Sequence, residues 1–387
     1  MIIKAGFWST ALGVTALLFA IGCARPPKPG EPLRGLTRVQ RDRFDRGRLV
    51  FTREFTPETG LGPLFNAVAC GECHEDPASG GIGDEVEIHA AASRPDGTCD
   101  ALTDLGGPVY QLHVTPALKA ALGIDEEPIP SRATARARRT TPPLMGLGLL
   151  DAVPDEEILD LADPDDRDHD GVSGRPNRSP DGRIGRFGRK AFVPTLREFN
   201  TGAFLFEQGV TSPDQPVEET VAGTPLPPGV DPVPEPEISG DDLLLADAFV
   251  RFLAPPAPER PAFSARQGER VFESIRCVSC HRPWLRTGDS PVRALRHKKV
   301  GAYTDLLLHD MGPDLADVCL GLATPAEFRT EPLMGLRLRG RFLHDGRAAT
   351  IEAAIRLHGG EGTRARDRFA ALSDSDRRAV LEFLGRL

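Results

Sequence analysis

The chain has 387 residues, enough for two domains of ordinary size, and its 40% apolar content can furnish packed cores. With 47 Lys and Arg against 56 Asp and Glu, its formal charge is −9, which gives no reason to expect a nucleic-acid partner and is compatible with a small basic protein as partner. Gly (40) and Pro (36) are abundant, so long irregular segments are expected between elements.

The N-terminus reads as an address. Lys4 precedes an apolar run from Phe7 to Gly22, too short and too early for a membrane span, so residues 1–22 are read as a secretory signal. Ala20-Ile21-Gly22-Cys23 is similar to a lipobox, in which Cys23 takes a lipid after cleavage and holds the protein to a membrane. An ordinary signal peptide with a nearby Cys is the alternative. Residues 23–36 form a stiff, Pro-rich tether. The expected location is the periplasm or cell envelope.

The first unit is placed at 37–254. A G-x-x-x-F pattern from Gly47 to Phe51 sits on a helical run and leads, after the loop Thr52–Ala69, to Cys70-Gly71-Glu72-Cys73-His74. This C-x-x-C-H form is the attachment motif for c-type haem: two thiols on one turn add across the vinyl groups, and the following His lies under the iron. Zinc would need two facing Cys pairs and would not ask for a His directly after each. Arg132, Arg136, Arg138 and Arg139 form a strip read as solvated, with haem propionates as alternative partners. Asp166-Arg167-Asp168-His169-Asp170-Gly171 opens like a calcium loop, so Asp166, Asp168 and Asp170 are candidate calcium ligands. Asn177 stands at position twelve instead of Glu, so the EF-hand loop is incomplete, and a solvated acidic turn is the alternative. Thr211–Glu237 is a Pro-rich surface arm. Ser239 then opens a helix carrying Leu243, Leu244, Phe249, Val250 and Leu253, stopped by Pro255-Pro256.

After the linker Ala254–Pro261, residues 262–387 repeat the order of parts. Gly268 to Phe272 leads to Cys277-Val278-Ser279-Cys280-His281, and Ser373 opens a last helix with Val380, Leu381, Phe383, Leu384 and Leu387. The repetition predicts an all-α class with two cytochrome c-like domains in tandem, joined and decorated by long loops. Each would pack its first and last helices beside one of two covalently bound haems. Of the seven Cys, four go to haem and one to lipid. The remaining Cys99 and Cys319 form a disulfide or stay as two buried thiols.

Several further runs carry a family likeness. They include Leu150-Asp151-Ala152-Val153-Pro154-Asp155, Gly171-Val172-Ser173-Gly174-Arg175-Pro176-Asn177, His309-Asp310-Met311-Gly312-Pro313-Asp314-Leu315 and Phe342-Leu343-His344-Asp345-Gly346-Arg347. Together they resemble the bacterial di-haem oxidoreductases, labelled as peroxidases or thiol-oxidoreductase-like proteins. More distantly the chain is similar to the di-haem cytochrome c peroxidases and to the enzyme that matures the cofactor of methylamine dehydrogenase. In those relatives an HDGR-like stretch is followed, fourteen residues after its His, by the distal ligand of the C-terminal haem. From His344 that spacing lands on His358, so the resemblance implies a His281/His358 pair, with His309 and Met311 as rivals. Bis-His ligation favours ferric iron more than His/Met does.

The resemblance also implies that the N-terminal haem reduces hydrogen peroxide, with electrons relayed by the C-terminal haem from a small redox protein or another donor. The relatives use a Glu as distal acid, and Asp151 matches it by motif order, which makes Asp151 the expected catalytic residue. Between Asp170 and Arg276 there is no His or Met, so candidates to close the first haem are His89, His113, Met145 and Lys190. The alternatives are an electron-transfer cytochrome with both irons six-coordinate, or haem-dependent oxidation of a protein or small molecule.

Overall fold

Helix α1 (Arg38–Phe51) starts at a reciprocal cap: Thr37 Oγ1 accepts the Gln40 N–H (3.2 Å) and Gln40 Oε1 accepts the Thr37 N–H (2.9 Å). Helices α2 (Leu196–Gln208) and α3 (Gly240–Phe252) complete the main helices of the first half. Helices α4 (Phe263–Ser274), α5 (Ile351–Arg356), α6 (Thr363–Ala370) and α7 (Asp374–Leu384) build the second. The computed structural model describes residues 25–259 and 263–387; the expected signal at 1–22 and lipid site at Cys23 lie outside them.

Helix α1 crosses α3, and α4 crosses α7 in the same manner. Each crossing turns on a glycine. A Cβ on Gly47 would lie 2.0 Å from Leu245 O, and one on Gly268 would lie 1.9 Å from Ala379 O. One turn later an aromatic joins helix pair to motif. The Phe51 ring is 4.8 Å from Phe249 and 6.1 Å from His74, and the Phe272 ring is 5.5 Å from Phe383 and 6.4 Å from His281. The repeated G-x-x-x-F is therefore one packing device used twice. Burying Phe44 or Phe249 completely contributes about 1.5–3 kcal/mol each.

The all-α expectation is overturned. The chain is about 32% helix and 14% strand, a mixed α/β fold with several small sheets. The largest sheet centres on β1 (Val86–Ser93). Strand β2 (Cys99–Asp100) pairs with its end at Ala92–Ser93 and β3 (Val109–Tyr110) with Ile88–His89, while β4 (Ala135–Thr140) runs along it from Val86↔Thr140 to Ala91↔Ala135, all antiparallel. Ala and Arg have little intrinsic strand preference, so tertiary pairing makes this sheet. Three of the four strip arginines lie in strand β4, where Arg136 and Arg138 point outward while Ala137 and Arg139 are buried; Arg132 sits in the turn before it, paired with Asp104. In the second half β5 (Leu308–Asp310) pairs antiparallel with β6 (Glu327–Arg329).

The halves share a core. Phe44, Leu150, Val153 and Phe249 pack in one cluster with Leu285, Leu295, Val300, Leu306 and Leu307. A Cys99–Cys319 disulfide, Cα atoms 5.7 Å apart, joins β2 to the second half. No helix among the described residues is long and apolar enough to cross a membrane.

Candidate active site

Both Cys-x-x-Cys-His motifs close the same way, with the His74 N–H on Cys70 O (3.1 Å) and the His281 N–H on Cys277 O (2.9 Å). The rings are also held alike. His74 Nδ1–H donates to Gly81 O (3.1 Å) and His281 Nδ1–H to Tyr303 O (3.0 Å). Fixing Nδ1–H on a carbonyl leaves the Nε2 lone pair as the ligand, as in metal-bound imidazoles.

The second motif faces a cavity of about 500 Å³, lined by Cys277, Cys280 and His281, by apolar Phe272, Leu333, Leu336 and Ile355, and by His358. His358 also gives its Nδ1–H to a carbonyl, Ala354 O (2.8 Å). Burial pushes His281 down to about 4 and lowers His358 too, so both rings are neutral at ordinary pH. Exposed Arg276, Arg364 and Arg368 line the same cavity. Apolar walls, two neutral imidazoles and guanidiniums for carboxylate tails are what a haem asks of a site, and the residues fit it.

The rivals separate. His309 is held between Asp305 (Nε2–Oδ2 2.9 Å) and Glu361 (Nδ1–Oε2 2.7 Å). Burial opposes its charge, yet the Asp305 carboxylate keeps it well above the usual imidazole range, so it has no lone pair for iron. Met311 lines the cavity. His344 lines it as well, its ring 4.4 Å from Phe328. Deeper in, Arg189, Arg329 and Arg339 converge on Glu331. Burial works against that carboxylate, but the three cations hold it down at about 2.

The first site is acidic where the second is basic. The Cys70 thiol reaches Gln208 Oε1 (3.5 Å), and burial pushes it up to about 12. Burial also lifts the Cys73 thiol, helped by Glu207, Glu85, Glu72 and Glu87. Two of these form a split pair. Burial and then Glu87 drive Glu207 well above the carboxylate range, with Asn66 Nδ2 on its Oε2 (2.8 Å). Glu87 is lowered despite burial, because His89 hydrogen-bonds it (2.8 Å). One carboxyl is thus a neutral acid beside an ionised partner, the environment-driven division of roles found in acid–base pairs. Neither residue stood out in the sequence. Glu207 lies in the last turn of α2 and Glu87 in β1, and only the fold brings both within electrostatic reach of Cys73.

Asp151 sits elsewhere in the first half. Its Oδ1 accepts the Leu196 N–H (2.7 Å) and its Oδ2 pairs with Arg251, tying the start of α2 to α3. Of the candidates to close the first site, His89 has Nε2 on Glu87 and Nδ1 3.4 Å from Arg139. Lys190 Nζ is held by Asp317 (2.8 Å) and by the carbonyls of Thr324, Pro325 and Glu327. His113 is exposed, 5.6 Å from the Phe65 ring, and Met145 is buried. Asp166, Asp168 and Asp170 bring carboxylate oxygens within 4.8 Å of one another, beside the second motif, where Asp170 meets Ser279 Oγ (3.3 Å). Asn177 is turned away, its amide on Lys190 O and Leu320 O.

No curated protein matches the chain in sequence. Among solved structures it is similar to hydrazine synthase from Kuenenia stuttgartiensis, pressurised with xenon, at 14% identity over all of both chains with a TM-score of 0.39. It is also similar to a MauG-like protein associated with microbial copper homeostasis, at 15% identity over 98% of this chain and 95% of that one, with a TM-score of 0.40. The sequence of residues 131–387, which carries the second motif and His358, matches the family described as "Di-haem oxidoreductase, putative peroxidase", and the chain belongs to that family.

Proposed function

We propose that this di-haem oxidoreductase reduces hydrogen peroxide to water at the haem held by Cys70, Cys73 and His74. Electrons are relayed from an external donor by the haem held by Cys277, Cys280, His281 and His358. The balanced reaction takes one H2O2, two protons and two electrons to two waters. The observation that carries the reading is the inequality of the sites: two neutral imidazoles, His281 and His358, on the second cavity, against a split carboxyl pair at the first, whose Glu87 holds the His89 ring (2.8 Å).

When bound, haem would supply the electron exchange with peroxide. The Cys pairs would hold it covalently, and His74, His281 and His358 would offer their Nε2 atoms to its iron. Glu207 holds the proton that peroxide oxygen needs, and Glu87, kept anionic by His89, takes protons up behind it. Proton handling is assigned to this pair ahead of Asp151, both of whose oxygens are already bonded. The basic residues on the second cavity would receive the haem carboxylates.

The reading puts the protein outside the cytoplasm, cleaved before Cys23 and anchored by a lipid there; the intact mass of the membrane-extracted protein tests both. Calcium is proposed on Asp166, Asp168 and Asp170. Adding it should raise the thermal midpoint, chelation should reverse this, and Asp168→Asn should remove the response; an unchanged midpoint counts against the ion.

The deciding experiment is electron paramagnetic resonance of the fully ferric and half-reduced protein, with and without peroxide. A high-spin ferric signal that peroxide abolishes supports the enzyme. Two low-spin signals in both states, indifferent to peroxide, replace it with the electron-transfer reading.

A further inference from the structure

We infer that the hairpin immediately after the second motif is a docking surface for a small acidic redox protein, with Trp284 as its apolar contact. The inference rests on the relay role proposed for the second haem. Residues 282–299 hold six cations, Arg282, Arg286, Arg293, Arg296, Lys298 and Lys299, against the single carboxylate Asp289, in a chain whose net charge is −9. All six cations are exposed. Among the described residues none has a carboxylate partner, and Asp289 is taken by His297 (3.0 Å). The patch is therefore an unneutralised positive field on an otherwise acidic protein.

The hairpin is held rigidly from below. Leu285 pairs with Val300 and Arg286 with Lys299, and Leu285, Leu295 and Val300 are buried in the shared core. Glu157 Oε1 fixes one edge by accepting the Arg286 main-chain N–H (2.9 Å). Trp284 faces out, 42% exposed, with Lys299 Nζ 4.2 Å and Arg286 Cζ 5.1 Å from its ring. Trp and Arg are among the residue types enriched at the energetic hot spots of protein interfaces, and the two cations lie within cation–π reach of the ring.

The patch is wired to the iron ligand. Trp284 is three residues from His281, so their Cα atoms are at most about 11 Å apart. At the base of the hairpin the Thr304 N–H bonds Arg282 O (3.0 Å), one residue from the Tyr303 carbonyl that holds His281. An anionic membrane would meet the same charges. The short covalent route to His281 favours a redox protein, because a lipid surface has no use for it.

The test is stopped-flow reduction of the full-length, haem-loaded protein by a reduced flavodoxin, small and acidic, and by a reduced mitochondrial-type cytochrome c, small and basic. The expected result is faster reduction by the flavodoxin, slowing about 10-fold or more as salt rises from about 10 to 500 mM. Arg286→Glu with Lys299→Glu should slow it by about 10–100-fold, and Trp284→Ala should slow it without changing the salt dependence. Reduction by neutral hydroquinone should be the same in all variants, which shows them folded and loaded. A faster basic donor, or charge-reversed protein reduced at the parent rate, overturns the inference. So does hairpin-dependent binding to phosphatidylglycerol vesicles with unchanged donor rates, which assigns the patch to a membrane. Absence of peroxide turnover with hydroquinone would remove the peroxidase reading and leave the docking result standing.

Discussion

His281 and His358 line one cavity, and each has given its Nδ1–H to a main-chain carbonyl, Tyr303 O and Ala354 O, so each keeps only Nε2 for a ligand. Replacing His358 by Ala should convert one of the two haems from low spin to high spin, read by optical and paramagnetic resonance spectra. His358→Met should restore the low-spin state at a higher potential, because a thioether favours ferrous iron. An unchanged low-spin spectrum in His358→Ala would shift the assignment to Met311.

Glu207 is neutral because burial and Glu87 raise its proton affinity. It loses that proton as pH rises, so the peroxide step should slow through the alkaline limb. Glu207→Gln should lower the step by about 10²–10⁴-fold and remove that limb, while Glu207→Asp should recover part of the rate. The linkage sign is fixed by the same shift. A carboxyl raised in the folded state contributes stability below its unfolded pKa and loses it as pH climbs through the folded value. Glu207→Gln should therefore gain stability over the parent at alkaline pH, measured by urea unfolding.

Gly47 and Gly268 are predicted to be the least replaceable residues of their helices. A methyl at either would stand about 2 Å from a main-chain oxygen of the crossing helix, Leu245 O or Ala379 O, which cannot move without parting the pair. Each Ala substitution should cost about 1–3 kcal/mol or more. The loss should appear first as poorer haem incorporation at the motif on the same side, His74 for Gly47 and His281 for Gly268.

The Cys99–Cys319 bond closes a sequence separation of 220 residues. Reduction, or Cys319→Ser, should lower stability by about 2–5 kcal/mol, since the unfolded chain regains the freedom the crosslink removes. Denaturant titration with and without reductant measures it; equal midpoints would mean the packing around Cys319 holds alone.

The sequence spoke most clearly where chemistry and local structure coincide. Cys-x-x-Cys-His needs one turn, and G-x-x-x-F needs one helix face, so both were legible as spacing. Strand β4 was not, because Ala and Arg signal neither strand nor burial. Its alternation takes meaning only from β1 alongside and from Asp317, which receives Arg139. Asp151 was singled out by its order in the chain, whereas Glu87 and Glu207 come within electrostatic reach of Cys73 through the meeting of a strand with the end of a helix. Contacts of that kind carry no signature in either segment alone.

Among the described residues, one core gathers Phe44 and Phe249 with Leu295, Leu306 and Leu307 and so packs the two motif-bearing halves against each other. Under the proposed relay, that shared packing would set the gap between the sites, and passage across it would not wait on domain motion. Internal electron passage should then be indifferent to solvent viscosity, while reduction by an external protein slows in glycerol, as any encounter does.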